Sequence, residues 1–270
     1  MNDDIRAWES LAVELAGWAC SRMRAGYAEA KIKNHQADWV TAADLEIEQE
    51  VRRRVAETFP HHRVVGEEYG DTGSGAVTWY VDPVDGTTNF VHGLGWSSFS
   101  LAAADERGAA AGVVADPWRG EIFSATRDGG AQIFSGVRDG GADPDGQATT
   151  CSAAESPSGG LVCTELRGGQ VWPGLTAMME TLAEQHCGTR IMGSTALSLA
   201  SVAAGRCVAT VTDAYNTWDV LAGALIARES GAVVLGRTGE PWLEGDLPAD
   251  GLVAGAPGVA RTVWKAWQGA

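Results

Sequence analysis

The stretch 79–93, WYVDPVDGTTNFVHG, constrains this chain more than any other. It begins as a short apolar strand, Trp79-Tyr80-Val81, that stops at Asp82-Pro83. It then passes a second acid at Asp85-Gly86 and enters Thr87-Thr88-Asn89, which read as the first turn of a short helix. Proline fixes the backbone between the two carboxylates, so both converge at the strand end. The helix start beside them presents free N–H groups and the positive end of a dipole, which attract anions. Anion-attracting backbone beside paired anionic side chains is contradictory unless a cation bridges them. The pattern points to a metal-dependent phosphate site. A hairpin reading stays open on this stretch alone, because Asp-Gly between apolar runs and Asp-Pro are both common turn signals.

Further acids stand at the ends of neighbouring elements. Ile5, Trp8, Leu11, Ala12, Leu15, Trp18 and Ala19 recur at helical spacing and predict an amphipathic helix over 4–24. A second helix follows Asp44, with Ile47, Val51, Val55 and Phe59 on its stripe and Pro60 as its stop. Thr41-x-x-Asp44 is a capping-box pattern, so Asp44 reads as a cap, a role compatible with service at an active site. Arg63-Val64-Val65 predicts a strand running into Gly66-Glu67-Glu68, although adjacent glutamates also suit a solvated loop. Residues 96–134 alternate apolar runs with turn signals and predict an antiparallel meander.

The loop-like segment 138–147 divides a single domain into two intimate halves, about 1–145 and 146–270. The second half alternates strands (161–164, 207–211, 232–235, 252–254) with helices over 173–186, from Gly193-Ser194-Thr195, from Trp218-Asp219 and from about Val259. Asp219 taken alone reads as a helix cap. An antiparallel run followed by alternating units predicts an α+β fold of layered helices and sheets.

Composition narrows the partners. A chain of 270 residues with 45% apolar content can bury a sizeable core. No apolar run approaches a membrane span, and the start MNDDIRAWES is acidic where a signal peptide would be basic. The five scattered cysteines, never in a Cys-x-x-Cys pair, argue against a disulfide framework and a zinc site and suit a reducing cytoplasm. A net charge of −15 weighs against a nucleic acid polymer and makes an anionic substrate awkward unless metal ions supply positive charge. Of the 11 tryptophans, Trp79 and Trp118 read as core, and Trp39 and Trp96 lie near enough to the motifs to touch substrate if they are not buried.

Glu67, Asp82, Asp85 and Asp219 are a set of hard oxygen ligands at element ends. Packed together without metal, each like-charge pair at ~4 Å costs ~4 kcal/mol at an effective dielectric near 20. Such a set is stable only when protonated or metal-filled, and carboxylate and carbonyl ligands suit Mg²⁺ or Mn²⁺.

Gly66-Glu67-Glu68, the run from Asp82 to Gly93, Trp218-Asp219-Val220 with Ala222-Gly223, and Asp38-x-Val-Thr41-x-x-Asp44 together resemble the inositol monophosphatase family. The resemblance runs from Lys33 to the helix after Asp219, with each motif in the expected order. It implies a layered α-β-α-β-α sandwich of the sugar-phosphatase type, a homodimer, and a magnesium-dependent, lithium-sensitive phosphomonoesterase with two or three ions per site. Carried over by position, Glu67, Asp82 and the Val84 carbonyl hold one metal, and Asp82, Asp85 and Asp219 hold another. Asp44 and Thr87 polarise the attacking water, with Glu67 oriented toward it. Backbone N–H groups of Gly86 and Thr87 take the phosphate, and Lys33 stands near the mouth. Gly193, Ser194 and Thr195 supply contacts to the leaving group.

The substrate implied is a small phosphorylated metabolite, inositol monophosphate or a related sugar or polyol phosphate. Histidinol phosphate, fructose-1,6-bisphosphate, 3′-phosphoadenosine compounds and NADP are alternatives within the family. The chain departs from the inositol-specific pattern at one point: a glutamate expected about seven residues before Asp219 is absent, and Asp213 is the nearest substitute. A haloacid dehalogenase-type phosphatase fits less well, since its two acids stand two apart rather than three. A non-catalytic binding protein on the same fold would be expected to have lost at least one ligand.

Overall fold

The computed structural model describes residues 3–27, 29–33, 39–136, 146–166 and 168–269. Helix α1 (Asp3–Arg24) buries the apolar stripe predicted for it except Trp18, which is exposed. A two-stranded ribbon, β1 (Ala30–Ile32) and β2 (Trp39–Thr41), leads into α2 (Ala42–Thr58), which is capped by Thr41 and ends at Phe59, one residue before the proline. Next come β3 (Arg63–Gly66), β4 (Gly70–Thr72), β5 (Thr78–Asp85) and the short helix α3 (Thr87–Val91). The meander follows as β6 (Ser98–Asp105), β7 (Gly108–Asp116), β8 (Glu121–Thr126) and β9 (Gly130–Ser135), with β10 (Gln147–Thr149) at its edge. These strands form one eight-stranded sheet, order β10-β9-β8-β7-β6-β5-β3-β4, in which only β3 and β5 pair in parallel.

The second half runs β11 (Leu161–Thr164), α4 (Leu175–Glu184), β12 (Gly188–Ile191), α5 (Thr195–Ala203), β13 (Ala209–Thr212), α6 (Thr217–Glu229), β14 (Val233–Gly236), β15 (Leu252–Gly255) and α7 (Ala260–Gln268). Its five-stranded sheet has the order β12-β11-β13-β15-β14, with β11 parallel to both neighbours.

Strand alternation makes the layers. Neighbouring residues of a strand point to opposite faces, so Val113 joins the core under α1 and α2 while Val114 faces the α5–α6 pair. The same logic in β15 sends Leu252 and Ala254 toward α5 and α6, and Val253 toward α4 and α7. Three apolar cores therefore fill the four interfaces of five layers, helix–sheet–helix–sheet–helix, the middle core covering both faces of the α5–α6 layer, the sandwich that the resemblance implies. The active-site motifs lie where the large sheet, α3, α5 and α6 meet.

Several sequence expectations need correction. Strand β5 does not stop at Asp82-Pro83 but runs through to Asp85, after which Gly86 leads into α3 at the predicted helix start, not into the hairpin left open as an alternative. Trp79 is wholly buried, whereas Trp118 is 41% exposed on the β7–β8 turn. Residues 137–145, most of the expected boundary between halves, lie outside the described residues, as does Asp38. No described helix is long and apolar enough to cross a membrane.

Candidate active site

The site begins with a fault in β5. Asp82 pairs with Ser100 of β6, but Asp85 pairs with Ser98, so three steps on one strand match two on the other. This is a β-bulge at Pro83-Val84, where proline's missing N–H costs the ladder least. In a regular strand, residues three apart point to opposite faces. The extra residue turns Asp82 and Asp85 toward one cleft of about 420 Å³, whose lining also includes Glu67, Val84, Gly86, Thr87 and Asp219, the Val84 side chain packing in the core behind it. Gly86 then makes the tight entry into α3 with φ +88°, and a Cβ there would stand 2.6 Å from the Gly193 carbonyl oxygen. Only glycine allows this approach of the two halves.

Each carboxylate of the floor is held by a protein donor. Asp82 Oδ1 accepts the Val84 N–H at 3.1 Å. Asp85 Oδ2 accepts Ser194 Oγ at 2.6 Å and the Ala196 N–H at 2.7 Å, at the start of α5. Asp219 Oδ2 accepts the Asn216 N–H at 2.8 Å; the N-cap of α6 is Asn216 rather than Asp219, which stands three residues on as the other half of a capping box. Burial pushes Asp85 up to about 6 despite these donors. Burial, and then the charge of Asp85, pushes Asp219 up to about 8. Asp82 lies well above the ordinary carboxylate range, through burial and then repulsion from Glu67, Asp85 and Asp219. These acids feel one another across the cleft.

Asp44 combines both roles that the sequence left open. Its Oδ2 accepts the Thr41 N–H at 2.9 Å as a helix cap, while Oδ1 is 3.4 Å from Thr87 Oγ1. Thr87 Oγ1 also stands 2.8 Å from the Val84 carbonyl, so its single proton serves one acceptor at a time. Burial raises Asp44 to about 6. Lys33 Nζ bridges Glu67 at 2.7 Å and Glu68 at 2.9 Å. Burial alone would lower its pKa, but these two bonds hold it above the ordinary lysine value.

Three supporting residues escaped the sequence reading. Buried Glu48 pairs with Arg52 at 2.6 Å and accepts the N–H groups of Glu68 and Tyr69 at 2.7 and 3.0 Å, which fixes the turn carrying Glu67. Asn89 donates to the carbonyls of Trp96 and Met192 at 2.8 and 2.7 Å, tying α3 to the loop before α5. Glu165, just past β11, lines the cleft and accepts the Gly193 N–H and, at 2.9 Å, Ser198 Oγ. The i,i+4 spacing of Glu48 and Arg52 was the one available signal.

The structure places Gly193 and Thr195 on the cleft wall with Glu165, beside Trp39, Leu166 and Ile191. Ser194 stands behind them on Asp85. Asp213 is not on that wall. It pairs with Arg237 and accepts Trp267 Nε1 at 3.2 Å, and the Arg237 guanidinium lies 3.8 Å from the centre of the Trp267 ring. The expectation that Asp213 grips the leaving group is therefore corrected: partners from α7 and the end of β14 hold it elsewhere.

The donors of the floor are all oxygen, several are kept partly protonated by burial and mutual repulsion, and a hard divalent cation would relieve that repulsion. The set fits such an ion chemically. Among the described residues, no group of three or more His, Cys, Asp or Glu side chains is arranged to hold a metal ion as it stands. The hydrogen bonds give the reason, since each carboxylate is turned to Lys33, a backbone N–H or a hydroxyl.

Comparison with known proteins agrees with this arrangement. The family model described as "Inositol monophosphatase family" matches residues 4–268. The inositol-1-monophosphatase of Mycobacterium leprae is 34% identical, over 96% of this chain and 91% of that protein. The Nus factor SuhB of Pseudomonas aeruginosa is 35% identical, over 75% and 73%. The crystal structure of the extragenic suppressor protein SuhB from Bartonella henselae superposes with a TM-score of 0.84 at 25% identity, covering 96% and 97% of the two chains. With its five layers, its bulged Asp-Pro-Val-Asp strand and this span of similarity, the chain belongs to the inositol monophosphatase family and is a phosphoric monoester hydrolase.

Proposed function

We propose that the protein hydrolyses a small phosphate monoester, inositol monophosphate or a related sugar or polyol phosphate, by in-line attack of water in a Mg²⁺-dependent reaction. The observation that carries this reading is the convergence of Glu67, Asp82, Asp85 and Asp219 with the Gly86–Thr87 backbone in one cleft. Glu67, Asp82 and the Val84 carbonyl would hold one ion, and Asp82, Asp85 and Asp219 another, with Mn²⁺ also suited to the donors. Bound there, such ions supply Lewis-acid charge to the phosphate oxygens and lower the pKa of water.

The chain's own groups do the rest. Gly86 and Thr87 offer N–H groups to the phosphate. Asp44 and Thr87 orient the attacking water, Asp44 as acceptor and the Thr87 hydroxyl as its relay, with Glu67 beside them. Asp82 and Asp85 need no nucleophilic role, so no phosphoenzyme forms. Lys33, already bridging Glu67 and Glu68, offsets part of the negative charge at the mouth. Phosphate-monoester hydrolysis is very slow uncatalysed, so charge stabilisation and positioning carry the acceleration. The reading also includes a homodimer and a cytoplasmic location. A panel of monoesters with and without Mg²⁺, read as kcat/KM, tests it. Phosphate release should require the ion and favour sugar or polyol phosphates. Release that is unchanged in EDTA would reject the reading.

A further inference from the structure

We propose that Glu165 is the ligand for a hydroxyl of the departing alcohol, so that the substrate is gripped from the end of β11 rather than from the loop before α6. The assignment rests on the phosphatase reading above and names the residue that recognises the leaving group. Besides the floor acids, Val84 and the Gly86–Asn89 segment, the described residues lining the cleft are Trp39, Glu165, Leu166, Ile191, Thr195 and Asn216, with glycines between them. Glu165 is the only ionisable side chain among them. Asp213 is committed to Arg237 and Trp267.

The carboxyl is held in a defined pose. Oε2 takes the Gly193 N–H and Oε1 takes Ser198 Oγ at 2.9 Å. The Met192 N–H also bonds this carboxyl. A carboxyl group offers about four lone-pair sites, so these three bonds leave room for one more partner, a ligand in the cleft. Burial pushes Glu165 up to about 8, so near neutral pH it carries a proton. A carboxylic acid donates and accepts, as a hydroxyl does, and the two suit each other. Leu166 and Ile191 offer a hydroxyl no polar group, Trp39 offers only an N–H donor, and the Asn216 amide is turned to Asp219. Glu165 also holds Gly193, whose carbonyl lies against Gly86, so the grip on the alcohol is registered to the phosphate end of the cleft. A site that hydrogen-bonds a hydroxyl discriminates sharply against an alcohol lacking it.

The test compares kcat/KM for inositol 1-phosphate and glycerol 2-phosphate with that for phenyl phosphate, whose alcohol has no second hydroxyl. Glu165→Leu should lower the polyol-to-phenyl ratio at least tenfold, chiefly through KM. Glu165→Gln, which still donates and accepts, should keep the ratio within threefold of wild type. If Glu165→Leu fails to fold, Glu165→Asp, which withdraws the carboxyl by one methylene, carries the same comparison. Equal losses on all three substrates, or no loss, would overturn the assignment, because a clamp for Gly193 serves every substrate alike. Wild-type turnover of phenyl phosphate without turnover of either polyol phosphate would also overturn it. A wild-type protein that hydrolyses no monoester would instead reject the phosphatase reading, and this assignment with it.

Discussion

Replacing Asp219 with asparagine should stabilise the metal-free protein while removing its turnover. Burial and the neighbouring Asp85 raise Asp219 from 3.8 to about 8. An acid whose folded pKa exceeds its unfolded pKa favours folding most when protonated. Its contribution is complete below about pH 4 and is lost as pH rises toward 8. At pH 7, about 3 units of that window have been crossed, which at about 1.36 kcal/mol per unit forfeits roughly 4 kcal/mol. Asp82 and Asp85 share the repulsion, so about half of this, roughly 2 kcal/mol, is expected from one substitution. Asparagine keeps an acceptor for the Asn216 N–H at 2.8 Å, so the Asp219 half of the capping box survives. For a chain of this size that corresponds to a rise of roughly 4–8 °C in Tm. Thermal unfolding followed by circular dichroism in EDTA should show the gap opening between pH 5 and pH 7. Saturating Mg²⁺ at about 100 times Kd adds roughly 2.7 kcal/mol to the wild type, and less to a variant lacking a ligand, so the order narrows or reverses. A variant that melts below wild type in EDTA at pH 7 would show Asp219 to be a structural cap alone, and would refute the electrostatic argument.

Three further substitutions separate the parts of the site. Asp44→Asn should lower kcat more than it raises KM without lowering Tm, since asparagine retains the acceptor for Thr41 and removes a charge that burial disfavours; lost stability with normal turnover would make Asp44 only a cap. Gly86→Ala should destabilise the protein by about 1–3 kcal/mol in denaturant titration and impair turnover, because its Cβ would meet the Gly193 carbonyl at 2.6 Å with φ at +88°. Asp213→Ala should cost about 1–3 kcal/mol by breaking a buried charged hydrogen-bond set, yet leave kcat/KM for inositol 1-phosphate within about twofold; a large kinetic loss would return Asp213 to the site.

What the sequence made legible was local. The run from Asp82 to Gly93 carries its own strand end, turn and helix start within one short segment, and α1 and α2 declare themselves by periodicity and capping. The joint facing of Asp82 and Asp85 was inferred from proline, but it is produced by the bulge against β6, which no reading of β5 alone can count. The short strands β1, β2, β4, β10 and β12 are three or four residues long, too short to show alternation. Asp213 misled because its partners, Arg237 and Trp267, lie 24 and 54 residues away. Glu165 stayed hidden for the converse reason. A lone glutamate after a strand reads as a surface residue until Gly193 and Ser198, brought back through α4 and β12, close over it.

The central claim is that these acids repel one another until a divalent cation binds them. Calorimetric titration of chelated protein with MgCl₂ at pH 6.5, repeated in two buffers of different ionisation enthalpy, tests it most directly. Asp85 and Asp219, raised to about 6 and about 8, hold protons that a metal ligand must give up. Binding should therefore release protons, visible as a buffer-dependent heat that shrinks as the pH approaches 8.5. Titrations showing no binding, or binding with the same heat in both buffers, would contradict the account.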